Sequence, residues 1–149
     1  MGANGRAGTG LLTAVVLSIA GTLGAQEAPF KVVVQEATPG STIKRSALAD
    51  IFLKKTMRWG DGTLISPVDQ STASPVRVSF SQQVLGKPVA GVQIYWMRQM
   101  SAPGGSAPPP VKTSDDEVIA FVQGKPGAIG YVSGSATLPA TLKELKLAE

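Results

Sequence analysis

The sequence predicts an α/β domain with an open mixed sheet and flanking helices. Short β-branched segments alternate with longer segments whose apolar residues recur every three or four positions, a pattern typical of strands alternating with helices. The 149 residues are enough for one domain, and an apolar fraction of 43% is normal for a globular protein. The chain contains no cysteine and no histidine. This composition excludes disulfide bonds, thiolate nucleophiles and histidine bases, and it disfavours the common zinc and iron–sulfur sites.

The first 25 residues have the pattern of a secretory signal peptide. Arg6 is the only charged residue among them, and it precedes an apolar core at residues 11–20 and a segment rich in small residues at 21–25. A short positive region, an apolar core and a small-residue exit are the three parts of such a signal. We therefore expect cleavage after Ala25, which leaves a mature domain of residues 26–149 in the periplasm or outside the cell.

A retained membrane anchor is the alternative interpretation of this segment. Its apolar run is shorter than the ~20 residues of a membrane-spanning helix, so we expect no membrane attachment after cleavage. The cations of the mature domain are scattered, and only Lys44 with Arg45 and Lys54 with Lys55 are adjacent. Nucleic-acid binding requires a concentrated basic face, which this distribution does not predict. The net charge of +4 supports only a weak preference for anionic ligands.

The first half of the mature domain is predicted to alternate strands and helices. β-Branched residues indicate the strands, and apolar residues at positions i, i+3 and i+4 indicate the first helix. Ser74 followed by Pro75 is typical of a helix start, and Gly86 is typical of a helix end. The predicted elements are a strand at 30–35, a helix at 46–55, a turn at 58–62, a strand at 63–68 and a helix from Ser74 to Gly86.

The second half is predicted to contain a loop between two helices, and then a strand. The loop holds Gly104, Gly105 and three consecutive prolines, a composition typical of a flexible loop or lid. Ser114 and Glu117 form a capping-box pattern, which marks the start of the second helix. The predicted elements are a helix at 88–100, the loop at 101–111, a helix from Ser114 to Gly124, a strand at 128–133 and an ambiguous tail at 138–147.

The predicted strands are expected to lie in one sheet, with residues 31–35, 64–68 and 129–132 as its members. The helices should pack on this sheet through large apolar side chains. Gly127 and Gly130 are expected to permit a tight turn and a close approach of the backbone. The side chains expected to face the core are Leu48, Ile51, Phe52, Phe80, Trp96, Ile119 and Phe121.

The carboxylates of the chain do not predict a metal site or a catalytic centre. The acidic residues 115–117 are consecutive on a helix, so their side chains point about 100° apart and cannot converge on one ion. At the positive end of the helix they stabilise it instead. An enzyme using Ser74 or Asp69 would lack a histidine base, and no lysine is spaced to activate a serine. We therefore expect no catalytic residue, no metal and no cofactor.

Three hydroxyl residues near a predicted helix start are the strongest candidates for ligand binding. Ser71, Thr72 and Ser74 precede the helix, and Arg77 lies three residues after Ser74. Free backbone amides at a helix N-terminus, together with hydroxyl donors, can hold an anion. The alternative interpretation is that these residues serve only as a loop and a helix cap.

Several blocks between residues 30 and 133 resemble a known family. They are Ile51-Phe52-Leu53, the Arg-Trp-Gly-Asp-Gly of residues 58–62, the Ile-Ser-Pro-Val-Asp of residues 65–69 and, most specifically, the Pro-Gly-Ala-Ile-Gly-Tyr-Val of residues 126–132. With these blocks the chain resembles the phosphate-binding proteins of ABC transporters, which have the type 2 periplasmic-binding fold. The resemblance implies one lobe of that fold and phosphate or another small anion as ligand. It also implies an ABC transporter permease or another envelope protein as partner.

The chain departs from this family at the motif that holds the oxyanion. In the family, the stretch after the Val-Asp strand typically reads Arg-Ser-x-Gly-Ser-Gly-Thr. Here Gln70 replaces the arginine, Pro75 the second glycine and Val76 the threonine, whereas both serines are retained. Family members also have a second lobe that closes on the ligand. The resemblance therefore implies a degenerate anion site, formed by Gln70, Ser71, Thr72, Ser74 and Arg77.

These inferences lead to an exported substrate-binding protein with a weak affinity for anions. Loss of the arginine and threonine contacts is expected to remove roughly 4 kcal/mol, which corresponds to about a thousandfold in affinity. We therefore expect phosphate to bind no tighter than about millimolar. The alternative function is a protein–protein interaction module of the cell envelope that kept the fold and lost the ligand.

Overall fold

A computed structural model describes Gly2 and residues 28–149 of the chain. The expected signal segment and its cleavage after Ala25 therefore fall outside the described residues, Gly2 apart. The helices are α1 (Arg45–Phe52), α2 (Pro75–Phe80), α3 (Val89–Ser101) and α4 (Asp115–Gly124). The strands are β1 (Phe30–Gln35), β2 (Thr42–Lys44), β3 (Ser66–Pro67), β4 (Asp69–Gln70), β5 (Val111–Lys112), β6 (Ala128–Ser133) and β7 (Leu142–Ala148). A π-helical turn, Ser81–Leu85, continues α2 without a break.

Five of the strands form one mixed sheet in the order β2-β7-β1-β6-β3. β1 lies in its centre and pairs antiparallel with both β6 and β7, whereas β2 and β3 add parallel to β7 and β6. β4 and β5 form a separate parallel pair beside this sheet. The architecture confirms the predicted α/β domain with an open mixed sheet and flanking helices.

The two faces of the sheet pack against different kinds of side chain. Because successive residues of a strand point to opposite faces, Val32 and Tyr131 join one core cluster and Val33 and Val132 join the other. The first cluster is rich in aromatic rings and includes residues of α1, α2 and α3. Its Phe80 ring stacks on the Tyr131 ring with centroids 3.9 Å apart. The second cluster is aliphatic and includes Val118 and Val122 of α4.

Gly130 allows α4 to lie close to the sheet. A Cβ atom at this position would stand 2.7 Å from Val118 Cγ1 and 2.8 Å from Val68 Cγ1. Gly127 has a φ of +80°, a left-handed conformation that suits glycine in a tight turn. Both glycines therefore have the structural roles that the sequence predicts.

Most of the predicted core is confirmed, but its two residues in α4 are less buried than expected. Five of the seven side chains expected in the core are buried, namely Leu48, Ile51, Phe52, Phe80 and Trp96. Ile119 and Phe121 are only half-buried and pack against the aliphatic cluster. They lie in the middle of α4, and the Nζ atoms of Lys112 and Lys125 lie over the ring of Phe121.

The bounds of several predicted elements differ from those in the structure. The strand predicted at 63–68 is only two residues long and lies at the sheet edge, because Leu64 bridges back to Arg58 and Pro67 has no N–H to donate. The first helix ends at Phe52 instead of residue 55, and Lys54 has a φ of +55°. The sequence predicts no strand at β2, β4 or β5, and its pattern is ambiguous over the tail that forms β7.

Candidate functional site

The predicted site centres on a buried ion pair directly after β3. Arg77, in the last turn of α2, pairs through Nη1 with Asp69 Oδ2, and both residues are buried. Tyr131 of β6 donates its hydroxyl hydrogen to Asp69 Oδ1. Both carboxylate oxygens of Asp69 therefore have partners from two other elements of the fold. The positive charge of Arg77 is cancelled inside the protein.

Gln70 is engaged through both its backbone and its side chain. Its backbone N–H donates to Asp69 Oδ1 at 2.8 Å and approaches Tyr131 Oη at 3.2 Å. Its Nε2 donates to Tyr131 O at 2.9 Å and to Asp115 Oδ1 at 3.0 Å. Its Oε1 accepts from Ser74 Oγ at 3.0 Å. Gln70 thus links β4 to β6 and to the start of α4.

In this buried network, a charged group is paired with an opposite charge, and the titratable phenol of Tyr131 stays neutral. Burial raises the pKa of Tyr131 because a phenolate in the core would lose its hydration, and the nearby Arg77 charge opposes that rise only in part. Two buried polar atoms, Arg77 Nε and Ser81 Oγ, have no hydrogen-bond partner within the described residues. Apart from these two atoms, the buried side-chain nitrogen and oxygen atoms of the described residues are hydrogen-bonded within the protein.

The structure brings the predicted anion residues together, but most of their polar groups already have internal partners. Ser74 occupies the N-cap position, yet its hydroxyl binds Gln70 and makes no capping bond, which corrects the predicted capping role. Pro75 begins the helix and has no N–H, so it offers no amide to an anion. Ser71 Oγ accepts from Ala73 N at 3.3 Å, and Thr72 is exposed.

A cleft of about 440 Å³ opens beside this network, between α3 and the loop that precedes β5. Its polar end contains predicted site residues, whereas its walls are mainly apolar. The loop that the sequence predicts as a lid contributes two prolines to one wall. The lining residues are Asp69, Gln70, Thr72, Arg77, Gln93, Trp96, Met97, Met100, Pro108, Pro109 and Val111.

A second, smaller cavity of about 170 Å³ carries lysines that the sequence analysis did not single out. Lys54 and Lys125 line it together with hydroxyl residues of β3 and of the segment after α1. Lys112 and Lys125 also approach the Phe121 ring, with Nζ to centroid distances of 5.8 and 5.7 Å. None of the three lysines forms an ion pair with another described residue. Only the fold brings them together, because they are far apart in the sequence.

Of the acidic residues at the start of α4, Glu117 takes part in helix capping, as the sequence predicts, whereas Asp115 accepts from Gln70 Nε2 and Ser133 N. Ser114 Oγ accepts from the Glu117 N–H at 3.2 Å. Glu117 Oε2 accepts from the Thr113 N–H at 2.7 Å, and this bond lowers the pKa of Glu117. Within residues 28–149 no group of three or more carboxylates converges as a metal site would require.

The similarity to known proteins is seen in structure and not in sequence. No protein-family model and no curated protein sequence matches the chain. A protein of Clostridium perfringens assigned as a phosphate ABC transporter substrate-binding protein, solved with bound phosphate, matches with a TM-score of 0.62 and 17% identity. The match covers 80% of this chain and 44% of that one. An ABC-type phosphate transport receptor of Vibrio cholerae matches at 0.61 and 20% identity, with 81% and 47% of the two chains covered.

A third structure, PstS from Borrelia burgdorferi, matches at 0.53 with 14% identity and covers 81% of this chain and 47% of that one. The chain therefore spans less than half the length of each of these three structures. The likeness confirms the predicted fold, one lobe of a periplasmic binding protein of this type. Among the described residues, no helix combines the length and the apolar character needed to cross a membrane.

Proposed function

We propose that residues 26–149 are an exported binding domain of the phosphate-binding-protein type that holds phosphate, or another small anion, only weakly. The observation that carries this proposal is the buried pair between Arg77 and Asp69. The arginine is the one cation among the predicted site residues, and a carboxylate of the same chain already occupies it. The similar structures named above support a binding role, and the domain has no proposed catalytic residue, metal or cofactor.

The ion pair sets the expected affinity. A phosphate that approached Arg77 would compete with a carboxylate that is already desolvated and is also held by Tyr131. Charge-assisted hydrogen bonds are worth about 1.5–3 kcal/mol each, and here the strongest of them is directed inward. The dissociation constant for phosphate is therefore expected to be no tighter than about millimolar.

Residual anion contacts are proposed at the residues that the sequence singled out. Ser71 and Thr72 lie at the surface of the loop, and Gln70, Ser74 and Arg77 lie behind them. The hydroxyl of Ser74 could turn from Gln70 toward an anion at the cost of one neutral hydrogen bond, about 0.5–1.5 kcal/mol. Ser74 is therefore the side chain whose removal should weaken binding most clearly.

Calorimetric titration of the purified protein with phosphate and sulfate tests this proposal. We expect weak heats that fit a dissociation constant no tighter than about millimolar, and a further weakening in Ser74→Ala. Ser46→Ala is the matched control, because Ser46 is exposed on α1 and belongs to neither the network nor the cleft. Micromolar phosphate affinity in the unchanged protein would show that the anion site is intact and the proposal wrong.

The same ion pair supports a second candidate, an envelope protein–protein interaction module that kept the fold and lost the ligand. In that case the network around Asp69 serves only to stabilise the domain. A complete absence of saturable phosphate heat, together with chemical crosslinking to an ABC transporter permease or another envelope protein in the native cell, would favour this function over weak anion capture.

Export is part of the proposal and has its own test. The protein recovered from its native cell is expected to begin near Gln26 and to be released with the periplasmic or extracellular fraction. N-terminal sequencing that finds residues 1–20 on the mature protein would instead favour the membrane anchor.

A further inference from the structure

We propose that the cleft between α3 and the proline-rich loop takes an uncharged amphipathic molecule. Its apolar body would lie against Trp96, Met97 and Met100, and its hydrogen-bonding head would lie toward Thr72 and Gln93. The inference goes beyond the proposed weak anion binding, because it gives the domain a ligand of another class.

Three large apolar side chains in the walls of the cleft are exposed to solvent. Met97, Met100 and Val111 have 64%, 55% and 57% of their surface exposed, and all three line this one cleft. Apolar surface concentrated in a concavity marks a binding site, since a ligand there removes it from water. A volume of about 440 Å³ lies within the range of small-molecule sites. Methionine side chains also adapt their shape to different ligands.

The polar end of the cleft selects against a charged head group. Arg77 and Asp69 cancel each other there, and Gln70 Nε2 is taken by Tyr131 and Asp115. An anion or a cation entering the cleft would lose hydration without gaining a free opposite charge. An uncharged head loses less hydration and needs only hydrogen bonds. Thr72 and Gln93 are exposed and line the cleft, so their side chains are placed to supply these hydrogen bonds.

Fluorescence of Trp96 reports directly on the cleft. The chain has two tryptophans, and Trp59→Phe leaves Trp96 as the only one. In this background, octanamide and octyl phosphate are titrated below their aggregation limits, because they share an apolar tail and differ in the charge of the head. We expect saturable quenching or shift with octanamide, at least about tenfold tighter than with octyl phosphate.

Two variants of α3 and one control on the same helix locate the site. Met97→Asp and Met100→Asp should each weaken octanamide binding at least about tenfold, because a charge then lines the apolar wall. Ile94→Asp should leave it unchanged, since Ile94 is 49% exposed on α3 but does not line the cleft. All three residues are exposed, so the variants should fold, which circular dichroism checks.

Two outcomes of the titrations would overturn the inference. One is the absence of saturable Trp96 signal with octanamide, and the other is binding of octyl phosphate as tight as that of octanamide. An effect of Ile94→Asp equal to that of Met97→Asp would also contradict it, because binding would then not be in the cleft. The phosphate titration of the unchanged protein is independent of these probes, so a failure here is distinguishable from a failure of the proposed weak anion site.

Discussion

Arg77 and Lys125 carry the same charge in opposite surroundings. Arg77 is 4% exposed and is paired with Asp69, whereas Lys125 is exposed and forms no ion pair with the described residues. Arg77 is therefore shielded from water but already neutralised, and Lys125 is free but hydrated. Strong anion recognition needs a cation that is both shielded and free, since Coulomb attraction falls steeply in water. In this molecule neither cation has both properties. We therefore expect weak phosphate binding, although the fold is shared with phosphate-binding proteins.

Replacing each of these cations by alanine gives the largest expected contrast. Arg77→Ala leaves Asp69 buried without its partner, so we expect the free energy of unfolding to fall by about 3–5 kcal/mol. Lys125→Ala should change it by less than about 0.5 kcal/mol, as is usual for a surface substitution. Denaturant unfolding measures both. Similar losses in the two variants would mean that the pair between Arg77 and Asp69 stabilises the fold no more than an exposed lysine does.

The hydroxyl of Tyr131 is the next largest expected contribution to the network. Tyr131→Phe removes the donor to Asp69 Oδ1 and should lower the free energy of unfolding by about 1–3 kcal/mol. Tyr95→Phe is the matched control, because the Tyr95 hydroxyl donates to Leu53 O in a half-buried position outside the network. A loss in Tyr131→Phe no greater than in the control would contradict the buried role of this hydroxyl.

The raised pKa of Tyr131 also predicts a window of alkaline instability. The neutral phenol is favoured in the folded state, so its stabilising effect is fully present below the unfolded pKa of about 10. As pH rises above that value the unfolded state loses its proton first, and stability falls by up to about 1.4 kcal/mol per pH unit until the folded pKa is reached. Above pH 10, the free energy of unfolding should therefore depend less steeply on pH in Tyr131→Phe than in the unchanged protein. Equal slopes would be evidence that burial does not raise the pKa of Tyr131.

The sequence predicts the central strands of the sheet well, because a buried strand is indicated by a continuous run of β-branched or apolar residues. β1 and β6 match the predicted strands at 30–35 and 128–133, since each is a continuous β-branched or apolar run that must be buried. β7 remained ambiguous because Leu142 and Leu145 are three residues apart, a spacing also typical of helices, and most of the other residues are only half-buried.

The predicted site residues lie close together in the sequence, but their bonds to Asp69 and Tyr131 could not be predicted from it. The sequence places Gln70, Ser74 and Arg77 within eight residues, and the structure brings them together. The direction of their hydrogen bonds depends on Tyr131, which lies 62 residues from Asp69 along the chain. A resemblance to anion-binding motifs predicts donors that face a ligand. Only the fold shows that Arg77 faces the carboxylate of Asp69, that Ser74 donates to Gln70, and that Gln70 donates to Asp115 and to the backbone of Tyr131.

Asp69→Asn should give Arg77 both properties at once, shielding from water and freedom from a carboxylate. We expect the affinity for phosphate to rise about tenfold, equivalent to about 1.4 kcal/mol, although the variant itself is less stable. Phosphate should then raise its melting temperature more than that of the unchanged protein. Asp116→Asn is the matched control, because it changes the net charge equally at an exposed position. No gain in Asp69→Asn, or the same gain in Asp116→Asn, would refute the idea that Asp69 blocks the site.

The smallest expected effect concerns the hydrated lysines. Lys54 and Lys125 share a cavity and are not paired with described carboxylates, so they could attract phosphate weakly. Two unit charges 4 Å apart in water interact by only about 1 kcal/mol, and screening acts over a distance of about 8 Å at physiological ionic strength. The double variant Lys54→Gln with Lys125→Gln should therefore lower phosphate affinity by less than about twofold in physiological salt. The loss should be somewhat larger in ~0.01 M salt, where the Debye length is about 30 Å and screening is weaker. Calorimetry at the two salt concentrations measures the difference. The phosphate signal could instead be abolished at both concentrations in the double variant and remain intact in Ser74→Ala. The anion would then bind at the lysine cavity. This result would contradict the view that a cation exposed to water binds phosphate too weakly to form the site.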